Sequence, residues 1–240
     1  MNIYKSLRSR FGHQLLRYHY QKEFERFREF TMIPRNTYVD NLFLARKVRL
    51  IPGCVVECGV WRGGMSAGLV SVLGAERKYF LFDSFEGLPP AQEIDGKGAC
   101  DWQQQKDVPT YFDNCSASPD FAERAMTLAG VKSFHLVKGW FNETLPGFIP
   151  PEPIALLRLD GDWYDSTIVC LESLFDHVAP GGLIVLDDYY TWDGCARALH
   201  DFLSRRSSTV RIRSRGEVCY LQKSEDEHAA VNIQVRVTKC

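Results

Sequence analysis

Acidic residues stand at the ends of apolar stretches in this sequence, where a carboxylate is uncommon. The stretch "LLRLDGDWYDS" turns from apolar to acidic at Asp160 and Asp162, and "GGLIVLDDY" does so at Asp187 and Asp188. A buried carboxylate needs a partner, because removing an unpaired charge from water is costly. Such acids could hold a hard metal ion or accept a proton from a reacting hydroxyl. The simpler alternative is that each one caps the helix that follows it.

Two more acids end apolar stretches earlier in the chain. Glu57 lies in "VVECGVWRGGMS", and Asp83 ends "KYFLFD". Gly59 permits a tight turn after Glu57, and Gly63 lets the backbone at the next helix start approach a ligand closely. Glu57 can accept a hydrogen bond from a cationic amine, and Asp83 is placed to bind both hydroxyls of a ribose. The glycine spacing does not match the G-x-G-x-x-G dinucleotide pattern. Together the turn and Asp83 predict an adenosine-containing ligand.

These acids must be positioned by the strands of a sheet. Between the strand candidates, residues 65–75, 119–130 and 166–180 carry apolar side chains at helical spacing. Alternating strands and helices predict right-handed crossovers and a doubly wound, mostly parallel α/β sheet covered on both faces. Since ligands bind at the carboxyl ends of such strands, the acids are expected to converge on one edge. The strand candidates are residues 54–60, 78–85, 134–139, 154–160 and 181–188.

Two later features complete the predicted elements. A helical pattern at 195–206 precedes two closely spaced strand candidates, 209–214 and 217–223, which predict a hairpin at the sheet edge. The stretch 86–117 is rich in Pro, Gly and Asp and has no period. It is too long for an ordinary connection and is either disordered or a functional loop.

The chain is expected to fold as one main domain with an addition at each end. Residues 1–50 form a helical extension, interpreted as a lid or subunit-contact helix in preference to a membrane-surface helix. Residues 51–223 form the main domain. Residues 224–240 are a polar tail, in which 231–237 is a candidate short strand.

Composition argues against several classes of partner. The chain has 240 residues, of which 45% are hydrophobic, enough for one large core. Its 29 basic and 30 acidic residues give no electrostatic case for binding nucleic acid. There is no run of 18 apolar residues and no signal-peptide core, and the eight cysteines include no C-x-x-C pair for zinc. A cytoplasmic protein that binds neither nucleic acid nor membrane is expected.

Several blocks of the sequence resemble one known family. The blocks "FTM", "IPGCVVECGVWRGG", "FDSFEGLP", "KGWFNETLP", "LRLDGDWYDST" and "PGGLIVLDDY" occur in the family's order across approximately residues 27–223. They resemble the macrocin O-methyltransferase family, whose members methylate sugar hydroxyls of macrolide and aminocoumarin natural products. The resemblance implies the Rossmann-like sheet of class I S-adenosylmethionine-dependent methyltransferases, whose last strand is antiparallel. That agrees with the predicted hairpin.

The resemblance also implies roles for the acids. It places Mg²⁺ among Asp160, Asp187 and Asp188, and it supports Asp160 as the catalytic base. The chemistry agrees, because Mg²⁺ prefers hard oxygen ligands and neutralises carboxylates that would otherwise repel one another. The residues alone do not separate Asp160 as a base from Asp160 as a metal ligand.

The cofactor is expected to touch several loops. By resemblance, Thr31 and Met32 belong to a segment that folds over it. Trp140 or Phe141 could cover the adenine, although core packing explains either residue equally well. Trp163 is either a wall of the methyl-transfer channel or a packing residue. The full set of expected cofactor contacts is Thr31, Met32, Glu57, Gly59, Trp61, Gly63, Ser66, Asp83, Ser84, Gly139, Trp140, Phe141 and Asp160.

The predicted function is a Mg²⁺-dependent O-methyltransferase that moves a methyl group from S-adenosylmethionine to a hydroxyl of a sugar or glycosylated small molecule. The chain is also a candidate to assemble as a homo-oligomer. One alternative is a nucleotide-sugar glycosyltransferase that uses "DGD" as its D-x-D metal site, but it needs neither the early glycine turn nor the second aspartate pair. A non-catalytic binding module is the third alternative. The 86–117 stretch differs from the macrolide enzymes, so the identity of the saccharide stays open.

Overall fold

One mixed sheet of seven strands runs through the described part of the protein. The computed structural model describes the backbone of residues 3–224 and the side chains from residue 12 onward. Residues 225–240, which hold most of the predicted tail and its candidate strand, lie outside the described residues. The strands are β1 (Cys54–Cys58), β2 (Lys78–Asp83), β3 (Ser133–Lys138), β4 (Ile154–Leu159), β5 (Val178–Leu186), β6 (Arg213–Arg215) and β7 (Val218–Gln222).

The sheet has the order β3-β2-β1-β4-β5-β7-β6. Strands β1 to β5 pair in parallel, whereas β7 pairs antiparallel with both β5 and β6. The strand order reverses between β1 and β4, which is where open sheets of this type bind ligands. The predicted α/β fold with an antiparallel C-terminal hairpin is therefore confirmed.

Helices cover both faces of the sheet. Every residue of β1 and β4 is buried, as strands with helices on both sides require. Val55 packs into one core and Val56 into the other, because successive side chains point to opposite faces. The α-helices of residues 3–224 are α1 (Ile3–Phe27), α2 (Arg35–Ala45), α3 (Gly64–Leu73), α4 (Lys97–Gln104), α5 (Pro119–Ala129), α6 (Phe141–Thr144), α7 (Tyr164–Leu174) and α8 (Asp193–Arg205).

The strand boundaries differ slightly from those predicted. Strands β1 to β5 end one or two residues before the predicted ends. β5 begins at Val178, three residues before its predicted start, because Val178 pairs with Ile154 across a register shift in β4. Pairing then continues past the strand ends. The Asp160 N–H donates to the Cys58 carbonyl (2.8 Å) and the Asp187 N–H to the Leu159 carbonyl (3.0 Å), which fixes both acids at one edge.

The N-terminal segment packs into the main core. Tyr20 of α1 contacts Phe43 of α2 edge to face, and Phe24 does the same with Tyr38. The Tyr38 hydroxyl donates to the Gly64 carbonyl at the start of α3 (3.0 Å). Residues on both sides of position 50 therefore share one hydrophobic core, and the division of the chain at that position stays a prediction.

The 86–117 stretch is ordered. It contains α4 and 3₁₀ turns at Glu93–Asp95 and Phe112–Cys115. Gln103 of α4 donates to the Pro89 carbonyl (2.9 Å) and to the Asn114 side chain (3.1 Å), and it accepts from the Ala91 N–H (2.7 Å). Of the two alternatives, disorder does not apply, because side-chain hydrogen bonds hold this stretch in place, and the role of a functional loop stays a prediction.

Two further findings bear on the composition argument. None of the helices within residues 3–224 has both the length and the apolar character that crossing a membrane requires. The cysteines of the described residues are free thiols.

Candidate active site

A cavity of about 720 Å³ opens at the carboxyl ends of the strands. It joins the turn after β1 to the acids after β4 and β5. Thirteen of the fifteen predicted site residues line it: Thr31, Met32, Glu57, Gly59, Trp61, Asp83, Ser84, Gly139, Trp140, Phe141, Asp160, Asp187 and Asp188.

The other two predicted residues, Gly63 and Ser66, support the wall from behind. A Cβ at Gly63 would lie 2.8 Å from the Cα of Ala122, so this glycine lets α3 and α5 pack closely. Gly63 therefore has a packing role, and the close approach of its backbone to a ligand stays a prediction. The Ser66 hydroxyl donates to the Glu57 carboxylate.

Asp83 organises the turn after β1. Its Oδ2 accepts the N–H groups of Val60 (2.6 Å) and Trp61 (2.8 Å), and its Oδ1 accepts that of Phe85 (2.6 Å). Burial raises the pKa of Asp83, while these backbone hydrogen bonds favour its ionised form. The predicted ribose contact would use the remaining acceptor capacity of the two oxygens.

Gly59 is required where the turn passes the acid cluster. Its φ is +89°, and a Cβ at this position would lie 1.7 Å from the Asp160 carbonyl oxygen. A side chain would therefore separate the end of β1 from the residue that follows β4. The position of Asp160 therefore depends on a glycine at residue 59.

Arg158, which the sequence interpretation passed over, lies among the acids. Its guanidinium is 1% exposed and contacts Glu57 (2.7 Å), Asp160 (2.8 Å) and Asp187 (2.8 Å). A buried cation shared among carboxylates from three strands offsets part of their repulsion. Arg158 is a charged residue within the apolar run "IALLRLD", and a charge in such a run indicates a functional site just as the aspartates do.

Asn41 of α2 completes this network. Its amide nitrogen donates to Asp187 Oδ1 (2.9 Å), and its amide oxygen accepts from Arg158 Nε (3.2 Å). Arg158 holds the other oxygen of Asp187. The lone Asn in the "VDNLFLA" stretch gave little sign of this contact.

A second set of carboxylates lies beside the network. Asp160, Asp162 and Asp188 each present an oxygen, and these oxygens lie within 4.8 Å of one another. The Asp162 N–H donates to Asp188 (3.1 Å), and the Trp192 indole N–H donates to Asp162 (2.8 Å). The structure thus differs from the expected metal set, because Asp162 joins the cluster while both oxygens of Asp187 contact Arg158 and Asn41.

Burial and repulsion disfavour the ionised forms in this cluster. Burial first, and then the charge of Asp160, raise the pKa of Asp162 to about 7. Burial and the charges of Asp162 and Asp160 raise the pKa of Asp188 well above its usual range. A cation placed between these carboxylates would reverse both effects.

The aromatic residues predicted near the cofactor differ in their surroundings. Trp140 precedes α6 and lines the cavity together with Phe141. Trp163 is 1% exposed, contacts Trp192 edge to face and donates its indole N–H to the Pro89 carbonyl (2.9 Å). Trp163 therefore packs against the 86–117 stretch and also lines the cavity.

Comparison with known proteins agrees with this architecture. A family model described as macrocin-O-methyltransferase (TylF) matches residues 29–219. The chain is 37% identical over 163 residues to 8-demethyl-8-(2,3-dimethoxy-alpha-L-rhamnosyl)-tetracenomycin-C 4'-O-methyltransferase of Streptomyces olivaceus, covering 65% of this chain and 59% of that protein. It is 30% identical over 171 residues to mycinamicin III 3''-O-methyltransferase of Micromonospora griseorubida, covering 68% of this chain and 65% of that protein. The chain thus spans less than two thirds of the length of either relative.

A solved structure has the same fold. The O-methyltransferase NovP superimposes with a TM-score of 0.69 and 25% identity, over 82% of this chain and 83% of that one. The family match extends from the segment before α2 into β7 and so includes every wall of the cavity. The resemblance inferred from the sequence is confirmed, and the chain belongs to the macrocin-O-methyltransferase (TylF) family.

Proposed function

We propose that the protein is an S-adenosylmethionine-dependent O-methyltransferase that acts on a hydroxyl of a sugar or glycosylated small molecule. The observation that carries this proposal is a single cavity that joins the turn held by Asp83 to the acid cluster at Asp160. One half offers cofactor contacts and the other offers a base. A relative named for methylating a rhamnosyl-tetracenomycin supports the acceptor class.

Residues of β1 to β3 would bind the cofactor. Asp83 lies at the end of β2, where an acid can bind a ribose. Burial raises the pKa of Glu57 to about 7, and a cationic amine beside it would favour its ionised form. Trp140 and Phe141 provide apolar surface for the adenine, and Thr31 and Met32 line the same cavity.

The acid cluster has the chemistry of a divalent-cation site. Its carboxylate oxygens lie within 4.8 Å of one another. The ion pairs of Arg158 are with Glu57, Asp160 and Asp187, so they do not neutralise Asp162 and Asp188. Asp160 and Asp188 would hold Mg²⁺, with Asp187 as the third ligand by family resemblance or Asp162 by proximity. When bound, the ion would supply positive charge that favours the deprotonated form of the acceptor hydroxyl.

Asp160 would act on the acceptor hydroxyl. Arg158 holds one of its oxygens at 2.8 Å, which orients the carboxylate, and the other can accept a proton. As the hydroxyl proton passes to Asp160, the acceptor oxygen forms a bond to the methyl carbon, the carbon–sulfur bond breaks and S-adenosylhomocysteine leaves. The protein's main contribution is to align oxygen, carbon and sulfur.

A transfer assay tests this function. The protein, S-adenosylmethionine and Mg²⁺ are incubated with a panel of rhamnosides, other glycosides and phenols, and methylated products are measured by mass spectrometry. Asp160→Asn should abolish most methylation while binding of S-adenosylmethionine, measured by calorimetry, persists. A protein that binds a nucleotide sugar but not S-adenosylmethionine would instead favour the glycosyltransferase alternative. The cytoplasmic location and the homo-oligomer stay predictions.

A further inference from the structure

Three hydrogen bonds join the residues that follow β4 to those that follow β5. The Asp162 N–H donates to Asp188 Oδ2 (3.1 Å), and the Trp192 indole N–H donates to Asp162 Oδ1 (2.8 Å). The backbone N–H of Trp192 donates to the Asp188 carbonyl oxygen (2.9 Å). These bonds form a closed ring of three residues, in which Trp192 contacts one acid through its side chain and the other through its backbone.

The backbone of Asp162 lies in the left-handed region. Its φ is +57°, a conformation that Asp adopts more readily than most residues but that still costs energy. Residues persist in such conformations where the surrounding contacts over-determine them, and they cluster at functional sites. At Asp162 these contacts are the hydrogen bonds to Asp188 and from Trp192. The fold therefore spends conformational energy to hold this carboxylate in one place.

The Trp192 ring is itself fixed by its surroundings. It contacts Trp163 edge to face, with ring centres 5.2 Å apart, and its centre lies 6.0 Å from that of Trp102 on α4. Trp192 is also the N-cap residue of α8. A Cβ at Gly194 in the first turn of this helix would lie 2.3 Å from Asp95 Oδ1, so the start of α8 packs closely on its neighbour. The direction of the indole N–H is therefore set before any ligand binds.

A hydrogen bond to one oxygen of a carboxylate orients the whole group. Trp192 occupies one acceptor site on Asp162 Oδ1, and the remaining acceptor sites of the carboxylate stay available to the cluster with Asp160 and Asp188. Proteins orient metal ligands in this way, and loss of such a supporting contact typically lowers metal affinity 10- to 100-fold. The simpler alternative is that the N–H only satisfies a buried carboxylate.

We propose that Trp192 is a positioning residue for the cation site and that it acts through Asp162, which it holds among the carboxylates as a ligand. This inference rests on the proposed function, because it concerns the support of the same acid cluster. The indole N–H then raises the affinity for Mg²⁺, and it does so only while residue 162 is an aspartate. The simpler alternative instead requires that loss of the N–H lowers stability and leaves the affinity for Mg²⁺ unchanged.

Trp192→Phe tests the inference, because it keeps an aromatic ring and removes the N–H. The affinity for Mg²⁺ is obtained from thermal melts over a range of Mg²⁺ concentrations, without S-adenosylmethionine or acceptor. The variant should bind Mg²⁺ about tenfold more weakly than the wild type. Trp102→Phe is the matched control, because it shrinks a ring that contacts Trp192 but lies outside the cavity wall, and it should keep the wild-type affinity. An equal loss in both variants would assign the effect to ring packing and overturn the inference.

Two further variants isolate the hydrogen bond. Trp192→benzothienylalanine replaces the indole N–H by sulfur in a ring of the same shape, so it removes the donor even if Trp192→Phe lowers stability too far. It should also weaken Mg²⁺ binding about tenfold. In an Asp162→Asn background, Trp192→Phe should cause no further loss, because the residue it acts through is no longer a carboxylate. Equal losses in the two backgrounds would contradict a role that passes through Asp162.

The outcomes separate this inference from the proposed function. The inference is overturned by a wild type whose melting temperature does not respond to Mg²⁺, Mn²⁺ or Ca²⁺, or by a folded Trp192→benzothienylalanine protein of wild-type Mg²⁺ affinity. Methyl transfer by the wild type to a glycoside would in either case leave the proposed function standing. A protein that shows the Trp192 effect on Mg²⁺ but does not bind S-adenosylmethionine would keep the role of Trp192 at the cation site and overturn the proposed function.

Discussion

The cationic residue Arg158 accounts for the burial of several acids at the site. Arg158 lies in the interior of β4, where an apolar side chain would ordinarily stand, and it contacts carboxylates at the ends of β1, β4 and β5. The acids lie at the carboxyl edge of the sheet, where ligands bind in folds of this type. Arg158 offsets part of the electrostatic repulsion among three of them. A buried ion pair adds little net stability, but removing one partner leaves uncompensated charge.

Arg158→Met should therefore destabilise the fold strongly. Loss of the guanidinium leaves Glu57, Asp160 and Asp187 facing one another, and the free energy of unfolding should fall by roughly 3–5 kcal/mol in urea titrations. Arg205→Met, which removes an ion pair whose partners are more than half exposed, is the control and should cost at most about 1 kcal/mol. Equal effects of the two substitutions would show that Arg158 does not neutralise the site.

Asp83→Ala should weaken cofactor binding. The substitution removes the predicted ribose ligand and also the acceptor of three backbone N–H groups that shape the turn. Affinity for S-adenosylmethionine, measured by calorimetry, should fall by on the order of 1.5–3 kcal/mol. Glu123→Ala on the outer surface of α5 provides the comparison and should leave it unchanged. An Asp83→Ala protein of wild-type affinity would remove Asp83 from the site.

At the scale of elements, what could be predicted from the sequence is what apolar periodicity reports. β1 and β4 are mostly apolar and buried on both faces, so the sequence predicted that both belong to a parallel sheet. That prediction also located the edge of the sheet where Asp160 lies. Periodicity is hard to read over α4, because this helix has only eight residues and low mean hydropathy, and its position depends on the hydrogen bonds of Gln103. Periodicity is silent about which carboxylate contacts which cation. Asp162 therefore lies in the carboxylate cluster, although it was not predicted there, and Asp187 contacts Arg158 and Asn41.

Gln103→Ala should loosen the 86–117 stretch without unfolding the protein. The change removes three hydrogen bonds that join α4 to Pro89, Ala91 and Asn114. Amide hydrogen exchange should accelerate in this stretch by about tenfold, the effect of roughly 1.4 kcal/mol, and should stay unchanged in β1 to β5. The neighbouring Gln104→Ala, an exposed position on the same helix, should exchange like the wild type. Uniform acceleration throughout the sheet would mean that the stretch does not open independently.

At the scale of the whole molecule, the site concentrates a charge imbalance that the chain as a whole lacks. The net charge is −1, yet five acids gather at one site. Glu57, Asp160 and Asp187 contact the guanidinium of Arg158, and Asp162 and Asp188 lie beside Asp160. The fold places them together because the strand order reverses between β1 and β4, bringing the carboxyl ends of neighbouring strands to one cavity. A native-state cation ligand is expected to stabilise the entire protein.

The third ligand can be identified by substitution. Asp162→Asn and Asp187→Asn each remove one carboxylate charge, and each tests one of the two candidates for the third metal ligand. Thermal melts with increasing Mg²⁺ should show a stabilisation that one variant loses and the other keeps, with S-adenosylmethionine affinity changed less than about threefold, or 0.65 kcal/mol, in both. Loss in both variants would mean that Asp187 and Asp162 act together. Retention in both would confine the ion to Asp160 and Asp188.

The pH dependence of stability follows from the raised pKa of Asp162, which is about 7 in the folded protein against 3.8 for an ordinary aspartate. Between these values the Asp162 carboxyl holds its proton in the folded state and loses it in the unfolded state. The contribution of Asp162 to the free energy of unfolding should therefore fall as pH rises through this range and level off above pH 7. Mg²⁺ binds the ionised carboxylates, so its stabilising effect should be larger at pH 8 than at pH 6. Urea titrations at both pH values, with and without millimolar Mg²⁺, measure the two effects together. Without added metal, Asp162→Asn should reduce the pH dependence and leave the part that comes from the raised pKa values of Glu57 and Asp188. Stabilisation by Mg²⁺ that is equal at both pH values, or absent at both, would contradict a cation site built from these acids.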